Sequence, residues 1–105
     1  MREIKQDEFD AIVNDNDKPV LVDFYATWCG PCKAMMPILE SVEKSAEGEA
    51  YEFVKVDVDQ SPGLSAKYGV MAVPTLAIFK NGELVYKQAG VHQPQQLQQV
   101  LNDNK

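Results

Sequence analysis

Trp28-Cys29-Gly30-Pro31-Cys32 contains both cysteines of the chain. Two thiols separated by two residues can pass between dithiol and disulfide with no third partner, which is the chemistry of thiol–disulfide exchange. The preceding run, Val20-Leu21-Val22-Asp23-Phe24-Tyr25-Ala26, reads as a buried strand, and Lys33 to about Glu47 reads as a helix. The pair therefore falls where a strand hands over to a helix, with the first sulfur beside the helix N-terminus. Unpaired N–H groups and the positive dipole end favour a thiolate there. Cys29 is the expected nucleophile, in a turn where it can be exposed. Cys32, one turn further in and less exposed, is the thiol expected to attack the mixed disulfide and release the product. Two other uses of such a pair are an inert staple and half of a zinc site. Zinc needs two further ligands, and His92 is the only histidine, so no metal is expected.

Gly30 lets another backbone approach closely, and Pro31 is tolerated in a first helical turn while stiffening it. No histidine lies between the cysteines to stabilise the thiolate and make the pair an oxidant, so a reductant is the favoured direction. Asp23 is a carboxylate inside an apolar strand, costly unless it has a task. Desolvation should raise its pKa toward the range where it exchanges protons with a thiol. The alternative is a strand-end acid that reaches water or a lysine.

The elements that must position these groups follow from periodicity. A short helix opening at Gln6 or Asp7 carries Phe9, Ile12 and Val13 on one side, and Asn14 to Pro19 is a polar turn into the central strand. In the second helix Met35, Leu39, Val42 and Ala46 form one stripe; Pro37 should kink it, and Glu47-Gly48-Glu49 ends it. Tyr51 to Asp57 is the next strand, and Ser61-Pro62 caps a short helix through Tyr68. Thr75–Phe79 and Leu84–Lys87 flank Asn81-Gly82, a hairpin signal. Pro94 starts a last helix with Leu97, Val100 and Leu101 inward; the glutamines between Gln93 and Gln99 are its solvated face. Strands and helices alternate, then a hairpin and a helix follow, which predicts a mixed sheet with helices on both faces.

At 105 residues there is room for one domain, residues 1–105, without repeat or linker. With 45% hydrophobic and 25% charged residues, such a chain folds around an ordinary core without staples, leaving the cysteines free for chemistry. A net charge of −6 with no basic stripe argues against nucleic-acid or anionic-membrane partners. Met1 to Asp7 carries charges where a signal peptide needs an apolar stretch, so a cytoplasmic location is expected.

Trp-Cys-Gly-Pro-Cys after Val-Asp-Phe-Tyr-Ala, then Val73-Pro74-Thr75 and Lys80-Asn81-Gly82, resembles the thioredoxin family in register from about Phe9 to Leu101. The resemblance implies the thioredoxin fold, an α/β architecture with a central mixed five-stranded sheet flanked by four α-helices. It implies a protein disulfide reductase acting on diverse protein disulfides as a monomer. It also implies electrons from NADPH through the flavoenzyme thioredoxin reductase, since the chain has no dinucleotide or flavin motif and is expected to bind no cofactor itself. By the same resemblance Asp23 lies behind Cys32 and assists its deprotonation, and Lys55 is its partner, where a solvated strand lysine is the alternative. Pro74 matches the family's cis-proline facing the active site, an ordinary trans-proline being the alternative. A cis bond would leave the Val73 backbone for an extended substrate to join as a strand. Trp28, Ala72, Val73, Gly90 and Val91 are expected to form an apolar rim around Cys29, suited to flexible protein disulfides. Tyr25 stands where most of the family carries a second tryptophan, and Met71 where many members have a polar or basic residue. Rival readings are an oxidant or isomerase in an oxidising compartment, and an interaction module with a redox switch.

Overall fold

The computed structural model describes residues 1–105. In chain order the elements are β1 (Arg2–Glu3), α1 (Gln6–Asn14), β2 (Val20–Tyr25), α2 (Gly30–Glu43), α3 (Ala46–Glu49), β3 (Glu52–Asp57), α4 (Pro62–Lys67), β4 (Thr75–Lys80), β5 (Glu83–Ala89) and α5 (Pro94–Asn104). The sheet order is β1-β3-β2-β4-β5, with β1 and β2 parallel to β3 and the β4–β5 hairpin antiparallel. The central position of β2 explains its apolar sequence: both faces are covered.

Alternation along β2 sorts the core into two layers. Val20, Val22 and Phe24 face a cluster with Phe9 and Val13 of α1, Leu64 of α4, and Phe79. Phe9, Tyr68 and Phe79 pack there with ring centroids 5.0–5.4 Å apart. Leu21 faces the other way, onto Met35, Leu39 and Val42 of α2 and Leu97 and Leu101 of α5. Asp23 shares the face of Leu21, so its carboxylate is directed under α2. Each fully buried Leu or Phe in these layers contributes about 1.5–3 kcal/mol.

The sheet is the mixed five-stranded one expected, but there are five helices, not four. α2 begins at Gly30, three residues earlier than periodicity suggests, because Cys29 is its N-cap and Pro31 fits the first turn. It ends at Glu43 instead of running to Glu47, and Pro37 sits within it without dividing it. Ser45 Oγ then accepts the Gly48 N–H at 3.2 Å and starts the one-turn α3. Gly48 does not end a helix; it is buried where a Cβ would collide with the Val42 and Glu43 carbonyls. Glycine is what lets α3 fold back onto α2. Ser61 precedes α4 but makes no side-chain cap, and Val100 is half-buried, not fully inward. Asn81 and Gly82 both have positive φ, as a tight hairpin turn requires.

Candidate active site

The β2–α2 junction brings the two sulfurs together. Cys29 and Cys32 form a disulfide with Cα atoms 5.3 Å apart. Cys29 Sγ also accepts the Cys32 backbone N–H at 3.1 Å, so the sulfur caps the helix it precedes. On reduction the same N–H faces the thiolate, where a charge-assisted bond is stronger than a neutral one. Gly30 and Pro31 are exposed beside it, and a Cβ at Gly30 would meet nothing within 4 Å. That open surface is where a second backbone can approach.

Cys29 is more covered than a turn position suggests: it is 4% exposed, and Cys32 2%. The cause is remote in sequence. Both cysteines pack on Ala26, with Val58 and Val73 against them, and Cys29 Sγ lies 3.7 Å from the Val73 carbonyl oxygen. The Val73–Pro74 peptide is cis, and Val73 lies outside the strands.

Asp23 is fully buried, and neither carboxylate oxygen has a hydrogen-bond partner within the protein. Burial pushes its pKa from 3.8 to about 7, against a smaller opposing pull from the Lys55 ammonium. Asp23 and Lys55 are register partners on β2 and β3, although the two form no direct ion pair. Lys55 Nζ lies 5.4 Å from the centroid of the Tyr25 ring. The Tyr25 hydroxyl donates to the Glu3 carboxylate, and burial and that bond push the phenol well above its ordinary range. Tyr25 is thus an uncharged strut between β1 and β2. A cavity of about 530 Å³ opens beside it, lined by Cys32 and Lys55 among others.

The expected rim is divided. Trp28, Ala72 and Val73 line a groove of about 300 Å³, which also includes Val58, Val70 and Met71. Gly90 is tied instead to the neighbouring turn, its N–H donating to the Pro74 carbonyl at 2.8 Å, and Val91 packs against the α2–α5 layer. Met71 is 96% exposed and Trp28 69%. Sequence reasoning missed Asp59, whose carboxylate accepts the Trp28 Nε1–H at 2.8 Å from 31 positions away. No local spacing could have disclosed it. No group of three or more His, Cys, Asp or Glu side chains is arranged to hold a metal ion.

The indole is thereby held by one hydrogen bond, and Trp28 adjoins Cys29 in the chain. Its emission is expected to change when the disulfide is reduced, as the only tryptophan signal of the chain. Titration with dithiothreitol, with Cys29→Ser/Cys32→Ser as a control, reads this directly; identical emission in both states would show the ring insensitive to the sulfurs.

A family model for Thioredoxin matches residues 1–103. The thioredoxin of Streptomyces clavuligerus is 46% identical over 85 residues, covering 81% of this chain and 78% of the relative. That of Staphylococcus aureus strain Mu50 is 45% identical over 95 residues, covering 90% and 88%. The crystal structure of the Malassezia sympodialis thioredoxin, Mala s 13, superposes with a TM-score of 0.88 at 36% identity, covering 98% of this chain and 89% of that one. A disulfide capping its own helix and these likenesses agree: the chain belongs to the thioredoxin family of protein disulfide reductases.

Proposed function

We propose that Cys29 attacks a protein disulfide as the thiolate, forming a mixed disulfide and expelling one substrate sulfur as a thiolate that takes its proton from solvent. Cys32 then gives up its proton, attacks Cys29 Sγ and releases the second substrate thiol. Two electrons pass to the substrate and the Cys29–Cys32 disulfide is left behind. Asp23, directed under α2 with no partner of its own, accepts the Cys32 proton, either directly or through water. Lys55 tunes that acid through its charge. The observation that carries this reading is the Cys29 sulfur in the N-cap position of α2.

Substrates are extended or flexible protein segments that present a disulfide to the groove of Trp28, Ala72 and Val73, beside Pro74 and the Gly90–Val91 segment that Gly90 ties to it. Gly30 and Pro31 leave the approach open. The oxidised protein is returned to the dithiol by thioredoxin reductase with electrons from NADPH. The chain works as a single domain, a monomer, in the cytoplasm; no helix is long and apolar enough to cross a membrane. Insulin reduction with NADPH and a thioredoxin reductase is the test, beside a redox equilibrium with glutathione. Sustained NADPH oxidation and a potential more reducing than glutathione are expected. An oxidising potential, or no turnover, would overturn the reductase reading.

A further inference from the structure

His92 is fully buried at the end of the β5–α5 loop, and every polar group of the residue's N–H and ring is engaged. Nδ1 lies 3.0 Å from the Gly90 carbonyl oxygen, which can only accept, so Nδ1 carries the proton. Nε2 of the neutral ring is then an acceptor, and the Tyr86 hydroxyl donates to it at 2.9 Å. The His92 backbone N–H donates to Met35 Sδ at 3.3 Å, on the helix that bears Cys32, three residues from that thiol. Gly90 in turn donates its N–H to Pro74 O. The bonds run without a gap from Tyr86 on β5 through His92 and Gly90 to the turn of Val73, 3.7 Å from Cys29 Sγ. Gly90 itself has φ +102°, and a Cβ there would meet nothing within 4 Å, so no neighbour packs on that side of it.

We propose that His92 is a positioning residue for docking: held by Tyr86, its neutral imidazole fixes Gly90–Val91 against the Pro74 turn and α2, so that the protein partner meets a preset surface. This rests on the disulfide-reductase reading above. The role also gives docking a pH dependence. Tyr86 on β5 is the one titratable side chain bonded to the ring, and burial raises its own pKa, so it stays protonated. α2 presents Met35, and the loop presents the Gly90 carbonyl. Burial lowers the His92 pKa below 6.5, opposed only by that carbonyl and by no charged side chain. A proton therefore binds better where the ring reaches water. As pH falls below the ordinary imidazole value, the set loop is disfavoured against an open one.

Tyr86→Phe removes one bond and keeps the ring; His92→Leu removes both side-chain bonds and keeps an apolar core. With chemically reduced protein in single turnover, the half-saturating insulin concentration should rise about fivefold in each variant, with the maximal rate unchanged. The rate with a small aromatic disulfide should not move. In the parent the half-saturating concentration should climb about fivefold from about pH 7.5 to pH 5.5, and in His92→Leu it should stay flat. Urea unfolding of each variant shows that it is folded, and Tyr86→Phe carries the test if His92→Leu is not. A parent that does not reduce insulin overturns the reductase reading. A parent that does, with unchanged half-saturation in a folded variant, overturns the role of His92, as does equal loss on the small disulfide.

Discussion

Cys32→Ser is expected to collect protein partners as stable mixed disulfides through Cys29, whereas Cys29→Ser collects almost none. Both variants lose turnover by at least about a thousandfold, since each lacks one of two obligatory sulfurs. The asymmetry comes from geometry. Only Cys29 caps the helix and follows Trp28, which lines the open groove; Cys32 lies inside the first turn and lines the cavity that it shares with Lys55. Without Cys32 nothing in the chain can attack the mixed disulfide, because there is no third cysteine. Without Cys29 the remaining thiol lies inside the first turn of α2, where it lacks the N-cap position that stabilises a thiolate. Non-reducing electrophoresis of each variant, incubated with oxidised insulin, separates these outcomes. Equal trapping by both would remove the distinction between nucleophile and resolving thiol.

The parts of this site that were legible in the sequence are those written in consecutive residues. The apolar run of β2, the Cys-Gly-Pro-Cys turn and the Asn81-Gly82 hairpin each specify local backbone, and Asp23 is conspicuous as a carboxylate in that run. What could not be read was decided by distant contact or by weak local signal. β1 is two exposed charged residues, with nothing to separate them from coil. The break between α2 and α3 depends on Ser45 and on a close approach that only Gly48 permits. Cys29 was expected in an exposed turn; Val73, 44 residues away, covers it. His92 and Met35 are 57 positions apart. Asp23 and Lys55 could be paired from the family resemblance, but only sheet register puts them side by side.

Asp23→Asn should stabilise the oxidised protein at neutral pH while slowing the resolving step. The folded pKa of Asp23 is about 7 and its ordinary value 3.8, so the folded state binds the proton more tightly. The associated stability is fully present below about pH 4 and is lost as pH rises through about 7. A shift of this size corresponds to about 4 kcal/mol between the two limits. Asparagine escapes the buried charge but carries an amide into a place where neither carboxylate oxygen has a partner, which costs about 1–3 kcal/mol. The variant is therefore expected to be about 2 kcal/mol more stable than the parent at about pH 8 and about 2 kcal/mol less stable at about pH 4, where the charge penalty has vanished and the amide cost remains. Urea midpoints across pH measure this. The kinetic half has the opposite sign: without a carboxylate to take the Cys32 proton, release of the second substrate thiol should slow by about 10²-fold near neutrality. The first attack by Cys29 should keep its rate. Rapid-mixing reduction of a protein disulfide resolves the two steps. A variant less stable than the parent at about pH 8, or equally fast in release, would make Asp23 a structural anchor with no part in proton transfer.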